Sequence, residues 1–134
     1  MLESSLIINY LIYFGLSSVL LAIGVTIFVF TTKTKEFALI GQGNKSAGTV
    51  IAGRTIGLAI ILYSAIANSV SLVDLAIWAA IGIITQVVAN FLAELLTPSF
   101  NITDALEKDN VAVAIALFGM FVSIGLVIAG CLTY

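Results

Sequence analysis

Apolar residues fill this chain in four long blocks, roughly 6–30, 46–70, 72–97 and 111–134. Each reaches the about 20 residues that a helix needs to cross the hydrocarbon layer. Lipid offers no partner to an unpaired backbone N–H or C=O, so each block is predicted to be helical throughout. The polar segments between the blocks differ in kind. Only a few residues around Ser69–Ser71 separate the second and third, which predicts a tight antiparallel hairpin. The segments TTKTKEFALIGQGNK (31–45) and PSFNITDALEKDN (98–110) are longer. Each holds a short apolar-polar mixture, FALI or DALE, suited to one or two helical turns at the interface. Each also ends in an asparagine, Asn44 or Asn110, placed to cap the next helix.

Asn44 and Asn110 are 66 positions apart, and the same offset relates Gly53 to Gly119 and Gly57 to Ser123. The chain reads as a tandem repeat of a two-helix unit, about 6–70 and about 72–134, forming one transmembrane domain. A unit that crosses twice inserts its second copy the same way up, so the repeat is parallel.

Composition makes the alternative of a soluble domain untenable. Of 134 residues, 61% are hydrophobic and 9% charged, whereas an ordinary soluble domain carries about 25% charged residues. The fold class expected is an all-α integral membrane protein with four transmembrane helices. The apolar run near the N-terminus follows Glu3 rather than basic residues and is too long for the core of a cleavable signal, so it is read as the first span. Lys33, Lys35, Lys45 and Lys108 all fall in the two long loops, and the opposite face has no Lys or Arg. The positive-inside rule then makes the long loops cytoplasmic and puts both termini outside. Tyr10, Tyr13, Tyr63, Trp78 and Tyr134 fall towards the outer half, as an aromatic belt would.

Within the spans, one charge stands out. Arg54 lies about nine residues into the second span, hence about 13 Å of helix rise from its start, at a depth where a charge is costly. The third span carries Gln86, Asn90 and Glu94 at four-residue spacing, along one side of a helix. Glu94 lies near the long-loop end, where a snorkelling Arg54 would reach it, and an Arg54–Glu94 pair is expected. The plainer reading of this stripe is polar packing glue between helices. The sharper one is a hydrophilic path lined by Arg54, Gln86, Asn90 and Glu94. Gly53 and Gly57 form a GxxxG spacing, with Gly48 nearby, and Gly119 and Ser123 repeat it in the fourth span. These five positions are expected to pack the second and fourth spans closely and to provide a face for self-association. Ser71 and Asp74 fit a capping box for the third span.

Several kinds of chemistry are excluded by residue type. There is no histidine, and Cys131 is the only cysteine. An intrachain disulfide, a thiolate or imidazole metal centre and a Ser-His-Asp or Cys-His nucleophile therefore cannot form. No cofactor or metal site is expected. Five basic residues against seven acidic ones leave no nucleic-acid footprint. The loop lysines alternate with acidic residues and make no polybasic lipid-binding patch. The NIT at 101–103 matches a glycosylation sequon but falls in a loop expected to be cytoplasmic.

The run NKSAGTVIAGRTIGLAIILYSAIANSVSLVDLAIW resembles the signature region of the bacterial inner-membrane proteins grouped as domain of unknown function 350. The similarity rests on positions such as Asn44, Gly53, Gly57, Ser64, Asn68 and Asp74, then Trp78, Gln86, Pro98, Asn110 and Cys131. It extends from about residue 36 to the C-terminus, the first span resembling the family only in being apolar. Arg54 and Glu94 stand outside the pattern. The resemblance implies an inner-membrane location and a duplicated four-helix fold, with an association to envelope maintenance or stress, and it implies no reaction. Taken together, these readings give a non-enzymatic scaffold or accessory subunit. It would self-associate in the lipid and present loops 31–45 and 98–110 to a membrane or cytoplasmic protein. The alternative is an oligomeric channel or small transporter with a polar path lined by the third helix.

Overall fold

A computed structural model of the chain describes residues 2–31, 36–95 and 102–132. The described residues form six helices and no strand. Four are long: α1 (Leu2–Thr31), α3 (Lys45–Asn68), α4 (Leu72–Leu95) and α6 (Val111–Cys131). Two are single short helices in the long loops, α2 (Glu36–Gly41) and α5 (Ile102–Glu107). All four long helices are long and apolar enough to span a membrane. Lys33, Lys35, Pro98 and Tyr134 lie outside the described residues.

The centre of the molecule is α3. Half of its apolar stretch is buried inside the protein, against 11% for α1, which turns most of its surface to lipid. The reason lies in the small residues of its inner face. A Cβ added to Gly53 would lie 2.8 Å from the Cα of Phe118, and one added to Gly57 would lie 2.8 Å from the carbonyl oxygen of Phe121. From the other side, a Cβ on Gly125 would lie 2.6 Å from the Cα of Gly57. The two backbones are in contact because neither helix has a side chain between them. Lipid tails give apolar helices no hydrophobic reason to associate, so such close approach is where packing energy is gained. The contacts pair rising positions on both helices, from Gly53–Phe118 to the bond from Ser64 Oγ to Ala129 O (2.6 Å), so α3 and α6 run parallel.

Around this pair the apolar side chains form three clusters. Val50, Leu106, Ala114, Leu117 and Phe121 fill the long-loop end between α3, α5 and α6. Phe28, Leu58 and Ile83 join α1, α3 and α4 at mid-height. Ile61, Leu62, Ala65, Leu75, Ala79, Ile128 and Leu132 close the opposite end.

The polar ends are held by matching devices. Asn44 Oδ1 accepts the N–H of Ala47 (2.8 Å), and Asn110 Oδ1 accepts that of Val113 (3.3 Å). Each cap follows a chain reversal of one design. Asn44 N–H donates to Leu39 O and Gly43 N–H to Ile40 O, while Asn110 N–H donates to Ala105 O and Asp109 N–H to Leu106 O. The residue at the reversal has positive φ in both, 86° at Gly43 and 56° at Asp109. This paired-bond ending needs a left-handed residue, which glycine adopts freely and aspartate more readily than most. In the α3–α4 hairpin, Asp74 N–H donates to Ser71 Oγ (3.1 Å), and the Asp74 carboxylate accepts the N–H of Val70 (3.0 Å). The carboxylate thus reaches one residue further back than in the usual capping box.

Candidate functional site

Arg54 is 3% exposed, although it is the one charged residue of α3 beyond its first position. Its guanidinium Nη1 donates to Glu36 Oε1, and Glu36 is equally buried. Glu36 opens α2, so this short helix swings a carboxylate in from the loop to meet the arginine inside the bundle. Two aromatic faces complete the setting. The Phe121 ring centroid lies 4.7 Å from the guanidinium carbon and that of Phe28 lies 5.9 Å away. Contacts of this kind stabilise a desolvated cation by up to about 2 kcal/mol. Snorkelling is therefore not what keeps Arg54 in the membrane: the protein surrounds it with an ion pair and two rings.

Glu36 is not singled out by the sequence pattern. Between Lys35 and FALI it reads as one more loop charge. The available signal is its position at the start of an apolar-polar turn, on the same side of the membrane as Arg54. The side chain of Glu94, the partner expected from the sequence, lies outside the described residues.

Gln86 and Asn90 lie one turn apart on α4 and both face inwards, at 0% and 4% exposure. Gln86 rests its amide nitrogen against Gly57, where any Cβ would collide with it. None of the amide oxygens or nitrogens of Gln86 and Asn90 has a hydrogen-bond partner among the described residues. Further from the long loops the interior turns apolar at Leu58, Ile61 and Ile83, before Ser64 and Asn68 restore polarity near the α3–α4 hairpin. The buried polar side chains thus fall into two groups, one in the long-loop half and one near the hairpin, with an apolar stretch between them.

The packing positions require a correction. Gly53 and Gly57 face α6, but Gly48 meets nothing within 4 Å of an added Cβ, and neither does Gly119. Gly119 and Ser123 are exposed, Ser123 Oγ donating to Gly119 O (2.6 Å). The contact face of α6 runs instead through Ala114, Leu117, Phe121, Gly125 and Ile128. Gly119 and Ser123 sit two residues off that series, which at about 100° per residue places them on the far side of the helix.

The two long loops are tied to one another. Asn44 Nδ2 donates to Leu106 O (2.6 Å), and Asp109 Oδ1 accepts both the N–H (2.9 Å) and the hydroxyl (2.7 Å) of Ser46. Those two Ser46 bonds hold the Asp109 carboxyl below its ordinary value of 3.8, helped by nearby Lys45. Among the described residues no group of His, Cys, Asp and Glu side chains could hold a metal ion. Cys131 is exposed and borders a groove of about 540 Å³ between α4 and α6 with Trp78, Thr85 and Ser123.

Four apolar helices around a mostly apolar interior define a multi-pass membrane protein. The chain belongs to the family described as Domain of Unknown Function (DUF350), whose pattern matches residues 1–132. The match includes the first span, and so reaches further than the resemblance legible from about residue 36 onwards. The chain is similar to the UPF0719 transmembrane protein YshE of Bacillus subtilis (strain 168), 28% identical over 117 residues, 87% of each chain. No solved structure matches it.

Proposed function

We propose that the protein is a non-enzymatic scaffold or accessory subunit of the bacterial inner membrane that self-associates through the outward face of α6. Ala112, Ala116, Gly119 and Ser123 recur on that face at three- and four-residue spacing, and all four are exposed. In lipid a stripe of small residues lets a second backbone approach closely. The Gly53–Gly57 face is already occupied inside the chain, so the face left for a second copy is this one. The long loops face the cytoplasm on this reading, and both termini lie outside. The bonds from Asn44 to Leu106 and from Ser46 to Asp109 make the loops one connected surface suited to a partner protein. The chain is a tandem duplication of a two-helix unit, a reading supported by the two identically bonded reversals before α3 and α6. A role in envelope maintenance or stress is part of this reading, resting on the association that the family resemblance implies. The oligomeric pore is the weaker alternative, because Gln86 and Asn90 turn into their own chain rather than towards a shared axis.

Native mass in lipid nanodiscs tests the proposal. The unaltered chain is expected as a closed oligomer, and G119I with S123I as a monomer that retains its helicity. A monomeric unaltered chain would reject self-association.

A further inference from the structure

Gln86 and Asn90 stand out among the interior polar side chains because both ends of both amides are unmet. Ser46 and Ser64, equally enclosed, each have a hydrogen-bond partner. A buried amide without partners is costly, and native interiors rarely keep one unless something else supplies the bonds. Here there are two, one turn apart on one face of α4, and Gly57 opposite leaves room for the first of them.

The surroundings restrict what that something is. Arg54, paired with Glu36, is almost one turn nearer the long-loop face than Gly57, against which the Gln86 amide rests. On the other side Leu58, Ile61 and Ile83 form an apolar floor. Arg54 and Glu36 already face each other, so a charged occupant would bring an unbalanced charge into a buried site. A primary amide offers two donors and one carbonyl acceptor. Its complement is a group carrying the same set in reverse.

We infer that Gln86 and Asn90 form a binding site for a small neutral solute of the carboxamide or urea type. This goes beyond the scaffold reading and does not depend on subunit number.

The test uses the unaltered full chain in nanodiscs, with the side-chain amides of Gln and Asn labelled with nitrogen-15. Acetamide and urea are titrated separately while the amide resonances are followed, with ethanol as the control. Saturable shifts are expected at Gln86 and Asn90, whereas Gln42, exposed beside α2, should move little and linearly. In Q86L the apparent affinity read at Asn90 should fall about ten-fold, as loss of one good hydrogen-bonded pair implies. Shifts no larger than those of Gln42, or equal shifts with ethanol, would overturn the inference. Exchange with water but no saturable response would overturn it too, leaving a hydrated cleft. The titration of the unaltered chain decides the matter whether or not Q86L folds.

Discussion

Asp109 caps a helix that is not its own. Its Oδ1 accepts the backbone N–H and the hydroxyl of Ser46, in the first turn of α3, from across the gap between the two long loops. The positive end of the α3 dipole and the adjacent Lys45 favour the ionised carboxylate, and its pKa lies below 3.8. A group whose folded pKa is depressed stabilises above its unfolded pKa, and that stability is lost as pH falls through the folded value. Stability of the unaltered chain should therefore drop below about pH 4. D109N should be less stable at neutral pH and should show a smaller drop. Thermal unfolding in detergent between pH 3 and pH 7 checks this, and parallel curves for the two proteins would refute it.

The glycines of α3 and α6 separate by what faces them. G57A must displace the Gln86 amide and the Phe121 carbonyl, and G125A must push the α3 and α6 backbones apart. Each should lose about 1–3 kcal/mol, as overpacking does. G119A meets open space and should be neutral or gain up to about 1 kcal/mol from helix propensity. Denaturation of monomeric protein in mixed micelles would compare the three. A loss at Gly119 matching that at Gly57 would contradict the packing described.

What the sequence made legible follows the strength of the physical constraint. The four spans were readable because lipid forces long apolar helices, and the caps Asn44 and Asn110 because the orphan N–H groups of a helix start admit few side chains. The buried setting of Arg54 was half legible. Its need for a partner follows from charge and depth, but the choice between Glu36 and Glu94 turns on how α2 folds back, which no spacing encodes. The contact face of α6 was misjudged because Gly119 and Ser123 match Gly53 and Gly57 in register. The α3–α6 contact does not keep that register, and it takes Gly125 and the bulk of Phe121 instead. The inter-loop bonds of Ser46 and Asp109 join residues far apart in sequence, and nothing local announces them.

The chain reversal at Gly43 gives a backbone test. Its φ of 86° lies where a Cβ is disfavoured, so G43A should cost about 1–2 kcal/mol. G41A lies within α2 and, like Gly43, meets nothing within 4 Å, and it should cost nothing. The difference isolates conformation from space. Equal effects on melting temperature would mean that the reversal does not hold the loop.

The ion pair inside the bundle sets the last expectation. R54L leaves Glu36 buried opposite an apolar side chain, and E36L leaves the guanidinium between Phe28 and Phe121 without that carboxylate. Removing one partner of a buried pair costs about 3–5 kcal/mol, whereas replacing both by apolar side chains is often close to neutral. The double variant R54L/E36L should therefore be more stable than either single one, with a coupling above about 1 kcal/mol. E94L, made alone and combined with R54L, measures in the same way how far Glu94 shares the arginine. Folded yield and unfolding in mixed micelles report all five variants. Additive losses for R54L and E36L would show that the two charges are buried separately.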